Sequence, residues 1–157
     1  MKYHIRIYLE SKEDVTREIE ISGEDNLLEL HNIITQSCNL NDKELASFHL
    51  TNDEFDLLKE IPLIPIDENT KESMEQVHIK ELLMQKDDRL IYIYDYMKMW
   101  RFLVELKEIS SQIITKPKCI FKSGEMPTQA PEITFDNDNQ EENEFSEEDS
   151  FDEYNEY

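Results

Sequence analysis

The sequence predicts an α+β fold, and three observations carry that reading. Two runs near the start alternate apolar and polar residues with a period of two. A single apolar stripe at three- and four-residue spacing follows them. Two runs rich in aromatic and β-branched residues then occupy positions 89–95 and 100–109. A period of two belongs to strands with one buried face, and the longer spacing to a helix packed along one stripe.

Taken in order, Tyr3, Ile5, Ile7 and Leu9 alternate with His4, Arg6, Tyr8 and Glu10, which predicts a half-buried strand. After a polar break, Val15, Ile19 and Ile21 continue the alternation, with Arg17 out of pattern. The two runs predict a hairpin that Ser22-Gly23 closes. Asn26 is placed to cap a helix, with Glu29 reaching back as in a capping box. Leu27, Leu30, Ile33, Ile34 and Cys38 form the stripe expected to pack on the sheet. A third strand is expected at 46–50. Residues 55–66 are apolar but interrupted by Pro62 and Pro65, which argues against a central strand or a long helix. Residues 67–76 read as a loop. Residues 77–84 read as one or two helical turns with Ile79, Leu82 and Leu83 inward.

The central hairpin organises the rest. Leu90, Tyr92 and Tyr94 lie on one face of its first strand and Ile91 and Ile93 on the other, as in a strand covered on both sides. Trp100, Phe102, Val104 and Leu106 share one face of its second strand. Four residues without glycine separate the runs, so the connection is read as a loop built on a type I turn. Residues 110–115 leave the hairpin with room to extend a strand. Residues 116–132, with Pro117, Gly124, Pro127 and Pro131, read as an extended segment on the body. The compact solution is a β-grasp-like mixed sheet of about five strands, one main helix across a face and a short second helix.

Charge divides the chain. Of 157 residues, 37 are acidic and 16 basic, for a net charge of -21. Residues 133–157 hold 11 acidic residues, no basic ones and five spaced aromatics. Such a stretch buries too little to offset its ordering entropy, so it is expected to be a disordered acidic tail behind a domain at 1–132. The body stays acidic without it, which disfavours direct nucleic-acid binding and allows a basic protein partner through the tail. No apolar run is long enough for a signal peptide or membrane span, and the two cysteines lack zinc-ligand spacing. A cytoplasmic protein with reduced thiols is expected.

Several motifs in sequence resemble the plasmid pRiA4b ORF-3-like family. Asn26-Leu27-Leu28-Glu29-Leu30-His31-Asn32-Ile33-Ile34 is similar to that family's tLxxLHxxI helix. Leu45-Ala46-Ser47-Phe48 falls at its HLxxF strand, and Val77-His78-Ile79-Lys80-Glu81-Leu82-Leu83 at its vxLxdLL turn. Tyr92-Ile93-Tyr94-Asp95-Tyr96 with Trp100 resembles its YxYDFGDxWxHxIxLE hairpin. Pro117-Lys118-Cys119 and Ala130-Pro131-Glu132 resemble its PxCxxGxxxxPPED end. The resemblance implies an α+β fold and, for some members, an association with plasmids or insertion elements. The chain departs from it where Met97-Lys98 replaces Gly-Asp and Phe102 replaces His.

Five residues are candidate functional or structural positions: His31, Asp95, Trp100, Met97 and Met99. Asp95 is expected to accept backbone N–H bonds in the hairpin turn, and His31 to lie beside the helix stripe as a hydrogen-bonded edge residue. Trp100 is read as core rather than a ligand platform. Met97 and Met99, on an exposed loop, are read as an adaptable contact point for a partner. Cys38 lacks the surroundings of a nucleophile and is read as a buried thiol. No catalytic set, metal site or cofactor motif is expected. The functional expectation is a non-enzymatic protein-interaction module with a possible mobile-element link. The alternative is an enzyme or metal-dependent processing protein tied to plasmid or transposon DNA, with a pocket near Asp95 and His31.

Overall fold

Alternation builds the first hairpin as expected. In the computed structural model, which describes residues 1–41, 43–65, 67, 72–128 and 130, β1 (Lys2–Leu9) and β2 (Thr16–Ser22) pair antiparallel. Tyr3, Ile5, Ile7, Leu9, Ile19 and Ile21 are buried on one face. The acidic tail at 133–157, and with it the disorder expected there, lies outside the described residues.

Helix α1 (Leu27–Ser37) follows, and the Asn26 side chain accepts from the Glu29 backbone N–H at 3.0 Å. That is the N-cap half of the expected box. Leu27, Leu30, Ile33 and Ile34 point into the sheet. Then come β3 (Ala46–Leu50), β4 (Glu60–Pro62), α2 (Ile79–Leu82), β5 (Arg89–Tyr94), β6 (Trp100–Ser110) and β7 (Lys118–Ser123). The α2 segment is tied to the start of α1: Leu27 N–H donates to Val77 O at 2.9 Å, and Ile79 N–H to Asp25 O at 2.9 Å.

The sheet has seven strands, in the order β4-β3-β5-β6-β1-β2-β7, where about five are expected. Every neighbouring pair is antiparallel, where a mixed, β-grasp-like sheet is expected. The two added strands are the edges, and each is invisible for a physical reason. β4 is three residues long and ends on Pro62, which an edge strand tolerates and a central one does not. β7 is mostly exposed on both faces, so it has no alternation to read.

The helix-bearing face of the sheet is the core. Phe48, Tyr92 and Phe102 stack side by side across β3, β5 and β6, with ring centroids 4.8 and 5.7 Å apart. These aromatics contribute through burial and tilted ring contacts. Ile91 and Ile93 are buried on the opposite face. There the β3–β4 connection is held down: an Arg101 Nη2 donates to Phe55 O at 2.7 Å, and Arg89 pairs with Asp53 at 2.9 Å. The rest of that face is a charged ladder, with His4 and Arg6 on Glu18, and Lys2 and Lys118 on Glu20.

Candidate functional site

A cleft of about 780 Å3 opens at one end of the sheet. Four pieces of chain build it. Residues after α1 supply Cys38 and Asn39, the β5–β6 hairpin supplies Asp95, Lys98 and Trp100, β2 supplies Arg17, and β7 with its exit supplies Lys122 and Gly124. Glu44 and Glu125 complete its charged lining, and Tyr94 lines it as well.

Arg17 is the residue that broke the alternation of the second strand, and it lies inward, only 4% exposed. Burying a guanidinium costs several kcal/mol unless its protons are taken up. Four backbone carbonyls do so: Nε donates to Ser37 O at 2.8 Å, and Nη1 to Thr16 O at 2.9, Gly124 O at 3.0 and Ser123 O at 3.1 Å. Gly124 makes this cradle possible. Its φ is +83°, and a β-carbon there would stand 2.0 Å from the Asp14 carbonyl oxygen. Only glycine lets β7's exit approach so closely.

The hairpin tip is fixed by its first residue. Asp95 Oδ1 accepts from the Met97 and Lys98 N–H groups at 3.1 and 3.4 Å, and its carbonyl accepts from Lys98 N–H at 3.0 Å and from Met99 N–H at 2.6 Å. The turn is entered and left through left-handed residues, Asp95 at φ 63° and Met99 at φ 56°. Aspartate tolerates that conformation because its carboxylate bonds locally, and methionine adopts it at a cost. The tip lifts Met97 into solvent at 93% exposure, with Tyr96, Met99 and Leu45 also exposed beside it. Asp95 N–H donates to Leu45 O at 2.8 Å, so the two loops are joined.

Trp100 is 7% exposed: it packs with the core and shows an edge to the cleft. Cys38, in the cleft wall, is a free thiol; burial pushes it up from its ordinary value, while Arg17 and Ser37 pull the other way. The result is a protonated thiol rather than a thiolate nucleophile.

His31 is elsewhere. It is 2% exposed on the inner side of α1, and its Nδ1 is 2.7 Å from the Tyr92 hydroxyl. Burial drives the Tyr92 phenol well above its usual range, so the hydroxyl stays protonated. Asp95 lines the cleft and His31 is not among the residues that line it. Among the described residues no group of three or more His, Cys, Asp and Glu side chains is arranged to hold a metal. Of the residues singled out in the sequence, Asp95 and Trp100 line the cleft and Met97 and Met99 do not; Arg17, Lys122 and Gly124, which line it too, were not among the candidate positions. The available signal was the misplaced arginine.

Fold and site define a class of protein: an α+β body on one antiparallel sheet, with a charged, aromatic-walled cleft where a hairpin tip meets the exit of an edge strand. The chain belongs to the plasmid pRiA4b ORF-3-like protein family, whose model matches residues 1–150. A solved structure with the same fold is the protein of unknown function MM3350 from Methanosarcina mazei Go1, at 21% identity and a TM-score of 0.62, covering 77% of this chain and 68% of that one. No curated protein matches the chain.

Proposed function

We propose that this protein is a non-enzymatic protein-interaction module whose contact surface is the β5–β6 hairpin tip and the cleft beside it. The observation that supports this is the tip itself: Leu45, Tyr96, Met97 and Met99 are exposed together on a turn held by four hydrogen bonds to Asp95. Apolar side chains grouped on a fixed, protruding turn suit a partner surface, and methionine adapts its shape to one. A protonated Cys38 and an Asp95 engaged by its own turn favour binding over covalent chemistry.

A photo-crosslinking residue at position 97 tests the reading. It is expected to trap a defined protein, and Met97→Ser with Met99→Ser is expected to weaken that complex at least tenfold. A complex indifferent to both substitutions sinks the proposal. The acidic stretch at 133–157 is a second contact in this reading, for a basic partner, and its contribution would fall steeply with salt. A cytoplasmic setting belongs to the same reading, supported by two unpaired thiols. A tie to mobile DNA draws only on the plasmid in the family's description. Transposase or plasmid-replication genes beside this one would support it.

A further inference from the structure

We propose that the cleft contains a built carboxylate-binding site, in which Arg17 takes an acidic group presented by a polypeptide partner. This rests on the protein-interaction reading and names the chemistry of what is bound.

The guanidinium carries five protons. Nε and Nη1 spend theirs on four main-chain carbonyls, all neutral, while Nη2 has no hydrogen-bond partner among the described residues. Among the described residues, the fully enclosed side-chain atoms without a partner are His49 Nδ1 and Thr51 Oγ1, so Arg17 Nη2 is not sealed in protein. The open space that Arg17 lines is the cleft. No carboxylate lies within ion-pair distance of it among the described residues, in a chain that has 37 acidic side chains to offer. A buried cation with fixed orientation and free protons on one edge is prepared for an oxyanion, since a charge-assisted bond there replaces lost hydration.

Two further cations line the same cleft, Lys98 and Lys122, both exposed and without an ion pair among the described residues. Lys122 is the direct cross-strand neighbour of Arg17. By contrast, the sheet's opposite face pairs its Lys2, Arg6, Lys107 and Lys118 with glutamates. Asp95, Glu44 and Glu125 also line the cleft, so its charges nearly cancel and it does not draw a polyanion. That balance disfavours a nucleic-acid backbone and the acidic stretch of this chain as a block. It suits one carboxylate at the Arg17 floor, with the uncharged part of the ligand against Trp100 and Met126. The cleft volume is within the usual range for a specific ligand site.

Trp100 is the chain's single tryptophan and shows an edge to the cleft, so its emission is a probe there. The full chain would be titrated with succinate at constant ionic strength, with chloride and inorganic phosphate run separately. The expected result is a saturable change in Trp100 emission with succinate, none with chloride, and a weaker response to phosphate. Arg17→Gln is expected to abolish it. Because that variant also strips the carbonyl cradle, Lys98→Gln and Lys122→Gln, at exposed positions, serve as the second test and are expected to raise the half-saturation about threefold each. No saturable response to succinate, or one equal to chloride, overturns the site. Tighter binding of phosphate overturns the carboxylate assignment. Removal of residues 133–157 is expected to leave succinate binding unchanged. A tenfold tightening would show that the chain's own acidic stretch fills the site and overturn the assignment to a partner. Succinate binding that persists while Met97→Ser and Met99→Ser leave every partner attached would keep the site and discard the protein-contact reading.

Discussion

Two buried polar groups share the helix-bearing face of the sheet, and they are treated differently. His31 and Tyr92 meet across the helix–sheet interface at 2.7 Å, deep in the core, and each answers the other. Arg17, a few strands away, is nearly as buried, yet its partners are four neutral carbonyls, Nη2 has none among the described residues, and the residue lines the cleft. The first arrangement is closed, because leaving either group unpaired in a low-dielectric interior costs more than a net hydrogen bond gains. The second is held in place and left incomplete. Depth alone therefore does not separate a structural polar group from a binding one; what remains on the group after its protein partners are counted does.

The largest expected effect tests the closed half. Phe102→Ala removes the ring that stacks on Tyr92 and is expected to lower stability by about 3–5 kcal/mol in urea unfolding. Gly124→Ala tests the cradle. With φ at +83° and the Asp14 carbonyl in the way, it is expected to cost about 2–3 kcal/mol and to withdraw two of the carbonyls from Arg17. Tyr92→Phe leaves His31 Nδ1 without that hydroxyl and is expected to cost about 1–2 kcal/mol, with no effect on the cleft. An equal loss of succinate response in Tyr92→Phe would erase the distinction between the two regions.

His49 offers a third case, on the opposite face. Its Nε2 meets Ser47 Oγ at 2.9 Å, its Nδ1 is enclosed without a partner among the described residues, and burial holds its pKa below the ordinary value near 6.5. Its neutral form is favoured by folding, so its contribution is complete above about pH 6.5 and declines as the unfolded chain takes up the proton below that. Stability at pH 5 relative to pH 8 is expected to fall less in His49→Gln than in the parent chain. The smallest effect belongs to the exposed tip: Met97→Ser with Met99→Ser is expected to change stability by no more than about 0.5 kcal/mol.

Much of the fold was legible because alternation is a direct record of one-sided burial. The β1–β2 hairpin and β6 follow from it; the α1 cap follows from the residue type at Asn26, and β5 from apolar, β-branched and aromatic residues on both of its faces. β4 and β7 were not legible, since an edge strand that is three residues long or solvated on both faces leaves no period. The site was legible in part. Asp95 carries its turn role in its identity and position, whereas Arg17 showed in the sequence only as a break in the alternation of the second strand, with no site role attached to it. His31 was expected at the helix edge but lies beneath it; stripe spacing gives its direction only to within a quarter turn, and a polar partner as distant in sequence as Tyr92 leaves no local trace. That Lys122 and Gly124 come to Arg17 depends on β7 pairing with β2, a long-range choice with no signal in local spacing.

The most direct measurement is nitrogen-15 NMR of the Arg17 guanidinium with and without succinate. If the cleft is an open binding site, the Nη2 protons exchange quickly in the free chain and become slow and shifted when succinate is added, while Nε–H, already bonded to Ser37, barely moves. Nη2 protons that are slow from the start, or indifferent to succinate, would mean that Arg17 is as closed as His31 and Tyr92.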